Sequence, residues 1–246
     1  ARMAEDFQII GRRNALCGLH VHCAVPAGHD RVALMNRLLP WLPVFLALST
    51  SSPFWDRQPT GLMSYRQAAY DEWPRTGIPD HFDDQAAYDA FAALLAAQGA
   101  IPDASYLWWA IRPSLDHPTL ELRICDSCTR VEDSLAIAGL FRCLVDTYLH
   151  RPDLGLQRSP MTRRVIDENR WLAKRHGMQA TFVVESGAGP MAAGVWLDQL
   201  LALVAESADR LGCARDLARV RHSSAQGTSA HHQLDVHQHR LQLGDT

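Results

Sequence analysis

The feature that most constrains this chain is the alternation of polar and apolar residues in two segments, because a two-residue period is typical of a β-strand. In residues 17–25 the odd-numbered side chains are apolar or thiols and would face one way, whereas His20 and His22 would face the other. A later segment alternates in the same manner and puts Glu121 and Arg123 on one face. Both predicted strands therefore carry ionisable side chains where a buried sheet would carry apolar ones.

Helical spacing of apolar residues predicts that much of the remaining chain is helical. Asp30 is a suitable N-cap for the first helix, in which two prolines would produce a bend, and Gly99 would end the second helix. The predicted helices are Asp30–Leu48, Asp83–Gln98, Val131–Leu149, Ser159–His176 and Val195–Leu211.

Between and after these helices the sequence predicts further strands and loops. An aromatic strand is expected over residues 105–111, the second alternating strand over residues 119–126, and a long ordered loop over residues 49–79. Residues 222–246 form a polar, histidine-rich tail that we expect to be loosely held. Few strands covered by several helices predict an α+β fold, and we expect residues 1–246 to form a single domain.

The composition disfavours several classes of protein. The chain has 246 residues, 47% of them hydrophobic, which is enough to form a core. Its formal net charge is −3 and its basic residues are dispersed, so we expect neither nucleic acid nor a membrane as a partner. The longest uninterrupted apolar run, residues 38–48, is shorter than the ~18 residues of a membrane span. The charged opening, Ala1–Asp6, does not resemble a signal peptide, which predicts a cytoplasmic location.

Converging in space, the polar side chains of the strands would suit phosphoryl transfer. His20 and Glu121 could bind a metal ion, while Arg123 and Arg112, at the end of the aromatic segment, could neutralise charge on a transferred phosphoryl group. Arg66, in a glycine-containing loop, could hold a substrate. Each pattern also has a structural explanation, because His-x-His and Glu-x-Arg pairs on strands are more often structural and Arg66 could be an ordinary surface residue.

The cysteines allow a different kind of site. Cys125 and Cys128 form a C-x-x-C motif that could combine with Cys17 and Cys23 into a four-sulfur zinc site. However, Cys125 lies inside a predicted strand and the spacing of the other pair is wide for a zinc site. Structural thiols are therefore the favoured interpretation.

Seven motifs follow one another in order between residues 14 and 178, and a shorter one, GTSA, comes later. The seven are GLHVH (18–22), ALSTSSPFW (47–55), TGLMSYR (60–66), PRTGIP (74–79), IRPS (111–114), ELRICD (121–126) and NRWLA (169–173). This ordered set resembles the carboxylate–amine ligases of the glutamate–cysteine ligase type 2 group, in the glutamine-synthetase-like superfamily.

The resemblance implies a curved antiparallel sheet of the glutamine-synthetase type, with helices packed on its convex side and the ligands on its concave face. Carried over by motif, His20 and Glu121 would be metal ligands and His22 would lie beside ATP. Arg123 would hold the acid substrate.

The resemblance also implies a reaction. ATP, with Mg²⁺ or Mn²⁺, would activate a glutamate-like acid as an acyl phosphate, and an amine such as cysteine would displace the phosphate. Arg66 and Arg112 would face phosphate or carboxylate, as catalytic or substrate-binding residues. We expect weak glutamate–cysteine ligase activity in a homo-oligomer.

Some features depart from the family pattern. Cys23-Ala24 stands where the family has Val-Gly, and Ala110 stands where several relatives have aspartate. We find no counterpart of the family's N-terminal Gly-x-Glu-x-Glu strand before His20, nor of its last helix, and therefore expect a piece of a longer protein. Two alternatives stay open: an inactive relative that binds nucleotide or amino acid, and a zinc-binding structural protein.

Overall fold

The protein is built around a small antiparallel sheet. A computed structural model describes residues 7–8, 10–11 and 16–244, with side chains described up to residue 240. The sheet has three strands in the spatial order β1 (Val21–Ala24), β5 (Thr119–Leu122) and β4 (Ile111–Pro113). This sheet with its covering helices confirms the predicted α+β class. The opening residues, on which the absence of a signal peptide was predicted, lie outside the described residues.

One face of the sheet is apolar and forms part of the core. Leu120, Leu122 and Ile111 are fully buried, and Val21 and Cys23 pack against the same core. The odd and even positions of β1 therefore separate as the alternation predicted. The opposite face carries the polar side chains of the same strands.

The first predicted helix begins at its expected cap but is interrupted. Asp30 accepts hydrogen bonds from two backbone amides of helix α1 (Arg31–Leu38). A 3-10 turn (Leu39–Trp41) that contains Pro40 then leads into α2 (Leu42–Ser49), because proline cannot donate the backbone hydrogen bond that a continuous helix needs. Residues 31–49 are long and apolar enough to cross a membrane by length and composition alone, but 72% of that stretch is buried inside the protein, as in a core helix.

The remaining helices cover the sheet and each other. They are α3 (Tyr65–Tyr70), α4 (Gln85–Ala97), α5 (Val131–His150), α6 (Thr162–His176), α7 (Ala193–Leu203), α8 (Ala205–Leu211), α9 (Ala214–Gln226) and α10 (Ser229–Gly244), with short 3-10 turns at Ala104–Tyr106 and Gly177–Gln179. Two hairpins complete the fold: β2 (Phe54–Trp55) with β3 (Gln58–Pro59), and β6 (Thr181–Phe182) with β7 (Met191–Ala192).

The predicted aromatic strand over residues 105–111 is wrong. Its first part is a 3-10 turn capped by Asp103, and β4 begins only at Ile111. The carbonyls of Ser105 and Leu107 accept hydrogen bonds from the Arg112 side chain instead of from a neighbouring strand.

Several other boundaries also differ from the sequence prediction. Strand β1 is shorter than the predicted residues 17–25, and β5 ends at Leu122 instead of residue 126. The stretch predicted as a loop, residues 49–79, contains the β2–β3 hairpin and helix α3, and the predicted helix Val195–Leu211 is divided at Val204 into α7 and α8. Short elements of this kind carry too little periodicity to be recognised from sequence.

The segment predicted as a loosely held tail is helical and is anchored at its start. Thr228, which precedes α10, and Ser229 and Ala230, which begin it, are buried. The backbone amide of Ala230 donates to the carbonyl of Thr50 (3.0 Å), and the hydroxyls of Thr50 and Thr228 are 2.7 Å apart. The packing of this GTSA motif corrects the prediction for the first part of the tail.

Candidate active site on the polar face of the sheet

Strand register brings the predicted polar residues into one row. In the antiparallel pairing, Glu121 on the central strand lies opposite His22 on β1 and opposite Arg112 on β4. Side chains at alternate positions share a face, so His20 and Arg123 extend this row by one step. Five residues that the sequence separates by as many as 103 positions therefore meet on one surface.

The carboxylate of Glu121 is the centre of this cluster. Its Oε2 accepts from Arg112 Nε at 2.7 Å, and its Oε1 accepts from Arg123 Nη1 at 2.5 Å. His20 Nδ1 and His22 Nε2 lie 3.3 Å and 3.7 Å from the same Oε1. Glu121 is buried, whereas the imidazoles are 39% exposed, so the cluster is open to solvent on its histidine side.

The surroundings of Glu121 keep it ionised. Burial by itself would raise the pKa of Glu121, but the hydrogen bond with His20 and the charges of Arg123 and Arg112 together hold that pKa well below its usual range. One carboxylate thus faces two guanidinium groups. The cluster has an excess of positive charge that suits a carboxylate or phosphate ligand.

Arg123 has a second anchor that the sequence analysis missed. Its Nη2 donates to the hydroxyl of Tyr70 at 3.1 Å, and that hydroxyl donates to the carbonyl of Trp108 at 3.3 Å. The Nε of Arg123 is buried and has no hydrogen-bond partner among the described residues. Tyr70 lies four residues after Arg66 on helix α3, but that spacing alone gave no signal, because α3 falls in a region predicted to be a loop.

Arg66 does not join the cluster. It is buried, and its guanidinium donates to the backbone carbonyls of Cys125 (2.9 Å) and of Ile124 and Arg123 (both 3.4 Å). It also forms an ion pair with Asp126 at 3.9 Å. The predicted role of Arg66 as a catalytic or substrate-binding residue is therefore not reflected in these contacts, which stabilise the backbone beyond β5.

Asp126 connects three of the sequence motifs. Its carboxylate accepts from the backbone amide of Ser51 (3.1 Å) and from the hydroxyls of Ser52 (2.7 Å) and Ser64 (2.8 Å). Burial raises the pKa of Asp126, and the charge of Arg66 and these hydrogen bonds oppose that rise. This network fixes the loop after α2 and the start of α3 against the segment that follows strand β5 and includes Arg123.

The described side chains do not by themselves fit a magnesium ion. Mg²⁺ requires about six ligands, mainly oxygens, in octahedral geometry, whereas His20, His22 and Glu121 offer two imidazoles and one carboxylate. Both oxygens of that carboxylate already accept from arginines. Within the described ranges, no group of three or more histidine, cysteine or acidic side chains is arranged to hold a metal ion.

The cysteines are free thiols in the structure. Burial raises the pKa of Cys125 far above its usual range and that of Cys128 to about 11. Among the described residues, no three cysteine, histidine or acidic side chains are grouped as a zinc site requires. Cys23 has a pKa raised by burial to about 11, and Cys17 is exposed. The geometry therefore gives no support to the zinc alternative.

Comparison with known proteins agrees with the motifs. The family model described as "Glutamate-cysteine ligase family 2 (GCS2)" matches residues 1–243, nearly the whole chain.

Curated relatives extend this agreement. Three of them carry the name "Putative glutamate--cysteine ligase 2": a protein of Bradyrhizobium sp. (strain ORS 278), 46% identical over 96% of this chain, one of Ectopseudomonas mendocina (strain ymp), 48% identical over 87%, and one of Pseudomonas putida (strain KT2440), 47% identical over 95%. The chain spans 58%, 58% and 63% of the length of these relatives.

Proposed function

The chain belongs to glutamate–cysteine ligase family 2, and from that premise we propose that it is an ATP-dependent carboxylate–amine ligase. Its substrates would be a glutamate-like acid and an amine such as cysteine. Because the chain covers less than two thirds of its relatives, the activity of the whole protein is part of this proposal.

The convergence of Arg112 and Arg123 on Glu121 is the observation that supports this function best. Two buried or half-buried guanidinium groups with one carboxylate between them give an anion-binding surface, and guanidinium groups bind carboxylate and phosphate through paired hydrogen bonds. The buried, unpartnered Nε of Arg123 is a donor that an oxygen of the acid substrate would satisfy.

The proposed reaction has two steps. First, an oxygen of the acid's carboxylate attacks the terminal phosphorus of ATP, which releases ADP and forms an acyl phosphate. Next, the amine nitrogen attacks the acyl carbon, inorganic phosphate leaves, and the nitrogen loses a proton to give an amide. Arg123 would hold the acid and Arg112 would counter charge on the phosphoryl group, so the contribution of these residues is positioning and charge neutralisation.

The other predicted roles remain proposals. His22, on the exposed side of the cluster, would lie beside ATP, and His20 and Glu121 would contribute to a metal site. That site would need further oxygen ligands from substrate and water, so we derive no chemical step through a metal. Arg66 would support the strand rather than contact substrate.

The fold and setting of the whole protein are also part of the proposal. The strand order β1–β5–β4, with helices α1 and α5 against its apolar face, supports a curved sheet of the glutamine-synthetase type. A cytoplasmic location and assembly as a homo-oligomer are proposed from the family resemblance.

The decisive experiment measures ADP release with ATP, Mg²⁺, glutamate and cysteine, and then with each amino acid left out. Glu121→Gln keeps the size of the side chain but removes the charge that orders both arginines. We expect turnover to need both amino acids and to fall by about 100-fold or more in this variant, as on loss of a charge-stabilising group. Asp116→Asn, at an exposed carboxylate that forms no ion pair with the described residues, is the matched control.

Two results would count against the proposal. Turnover that survives Glu121→Gln in a folded protein would show that the reaction does not use this cluster. No turnover in the folded wild-type chain, together with measurable binding of ATP or glutamate, would favour the inactive relative for this chain.

A further inference from the structure

A second concentration of positive charge lies along helix α10. The arginines line two adjoining surface pockets that share His232. The pockets have volumes of about 500 and 210 Å³. The larger lies between α10 and the β2–β3 hairpin, and the smaller lies between the start of α5 and the end of α9. We call the two together the α10 cleft.

The charges that line this cleft are strongly unbalanced. Arg57 and Arg240 line the larger cavity, and Arg130 and Arg219 line the smaller one. Among the described lining residues the only carboxylate is Asp133, which already binds Arg219 Nε at 2.7 Å. The chain as a whole has a formal charge of −3, so this local surplus is not a consequence of composition.

Partly buried hydrogen bonds hold some of the residues that line the cleft. The hydroxyl of Ser229 accepts from the backbone amide of Thr129 at 3.1 Å and lies 2.9 Å from its hydroxyl. Gln233 Nε2 donates to the carbonyl of Ser51 at 2.8 Å. These contacts hold Ser229 and Gln233 in place, so these two side chains need little ordering when a ligand binds. Three of the arginines that line the cleft, Arg57, Arg130 and Arg240, are exposed.

The hairpin at the edge of the cleft has an unusual turn. Asp56 and Arg57 both have positive φ angles, 47° and 64°. A type I′ turn in a two-residue hairpin requires positive φ angles at both central residues. Asn-Gly is the preferred sequence there, because an arginine is disfavoured in the left-handed region. The turn keeps Arg57 at the cleft, and the same hairpin places the Phe54 ring 5.1 Å from the ring of His237.

We propose that the α10 cleft binds a small organic anion that carries at least two phosphate or carboxylate groups and a flat apolar part. The arginines supply charge-assisted hydrogen bonds to the anionic groups, and the Phe54–His237 pair supplies a surface for the flat part. The larger of the two pockets has a volume in the range of small-molecule sites, but it is shallow and wide open, so a bound ligand would stay partly exposed to solvent. This site is distinct from the Glu121 cluster and does not depend on the ligase proposal.

The test is calorimetric titration of the full chain at low salt with three probes. Pyrophosphate and citrate separate phosphate from carboxylate recognition, and ADP adds a flat base to the pyrophosphate group. The double variant Arg57→Gln with Arg240→Gln should weaken the binding of the preferred anion by about tenfold or more, as expected for losing two charge-assisted contacts. Phe54→Leu should remove the advantage of ADP over pyrophosphate.

The matched control is Arg215→Gln with Arg221→Gln, which removes the same charge from exposed positions of α9 that do not line the cleft. It should leave binding within about twofold of the wild type. An equal loss in both double variants would overturn the proposal in favour of general electrostatics. Loss of binding in Arg123→Gln but not in the cleft variant would assign the anion to the Glu121 cluster, and the absence of binding by all three probes would reject the site.

Discussion

Replacement of Asp126 by alanine should destabilise the protein severely without touching the proposed reaction centre. The side chain is almost completely buried, and its carboxylate accepts three hydrogen bonds, from Ser51, Ser52 and Ser64. It is also the ion-pair partner of the buried Arg66. The substitution would leave all of these donors facing a cavity that has no acceptor.

The magnitude follows from the contacts that are lost. Each unsatisfied buried donor costs about 1–3 kcal/mol, and breaking a buried ion pair costs about 3–5 kcal/mol. These terms are not additive here, because Arg66 keeps its backbone carbonyl acceptors. We therefore expect a loss of about 3–5 kcal/mol, a large part of the about 5–15 kcal/mol that stabilises a typical domain.

The assay is urea-induced unfolding followed by circular dichroism, for Asp126→Ala and for the matched surface variant Asp116→Ala. Asp126→Asn is the informative intermediate, because it keeps the volume and one acceptor oxygen but removes the charge opposite Arg66. A loss below about 1 kcal/mol in the alanine variant, comparable to that of an exposed control, would refute the conclusion that this carboxylate joins the motifs.

Three further predictions test other parts of the structure. Tyr70→Phe removes one hydrogen bond to the charged Arg123 and should raise the dissociation constant or KM for the acid substrate about tenfold, with a smaller effect on kcat. An unchanged dissociation constant and KM would show that Tyr70 does not position Arg123. Gly18→Ala would force a Cβ into the buried Arg66 guanidinium, and it should lower the free energy of unfolding by about 1–3 kcal/mol in a thermal unfolding experiment. The control is Gly194→Ala, where nothing lies within 4 Å of the added Cβ, and its free energy of unfolding should stay within about 1 kcal/mol of the wild type. Burial would raise the pKa of Asp133, but Arg219 and Ser223 hold it below the ordinary 3.8. Its contribution to stability should therefore be present above 3.8 and be lost as the pH falls through the lowered pKa of the folded state. The difference in unfolding free energy from Asp133→Asn should shrink over that acidic range.

The central strands could be predicted because the relevant information is local. A two-residue alternation assigns each side chain of β1 and β5 to a face without reference to the rest of the fold. The pairing register then determines the cluster, since a shift by one residue would move Glu121 to the apolar face. For these strands the alternation and the motif order pointed to the same residues.

The errors occurred where tertiary contacts override local composition. Aromatic residues before β4 have high strand propensity, but the carbonyls of Ser105 and Leu107 bind the Arg112 side chain, so no strand ladder forms there. Arg66 was predicted from its glycine-containing loop and from the family motif to hold a substrate, and that role stays a prediction. Its burial depends on the contact with the backbone after β5, which no short pattern encodes.

The charges of the two sites indicate which ligands the described side chains can bind by themselves. At the Glu121 cluster one carboxylate is shared by two arginines, and at the α10 cleft one carboxylate accompanies four arginines. Both surfaces therefore attract anions, and neither offers the several free carboxylates that a hard divalent cation requires. If the chain binds ATP, its described side chains would hold the anionic groups, and the ligands that complete a metal site would have to include oxygens of the nucleotide, the acid substrate or water. The proposed reaction therefore depends most on Glu121, because this side chain orients both arginines and is also a proposed metal ligand.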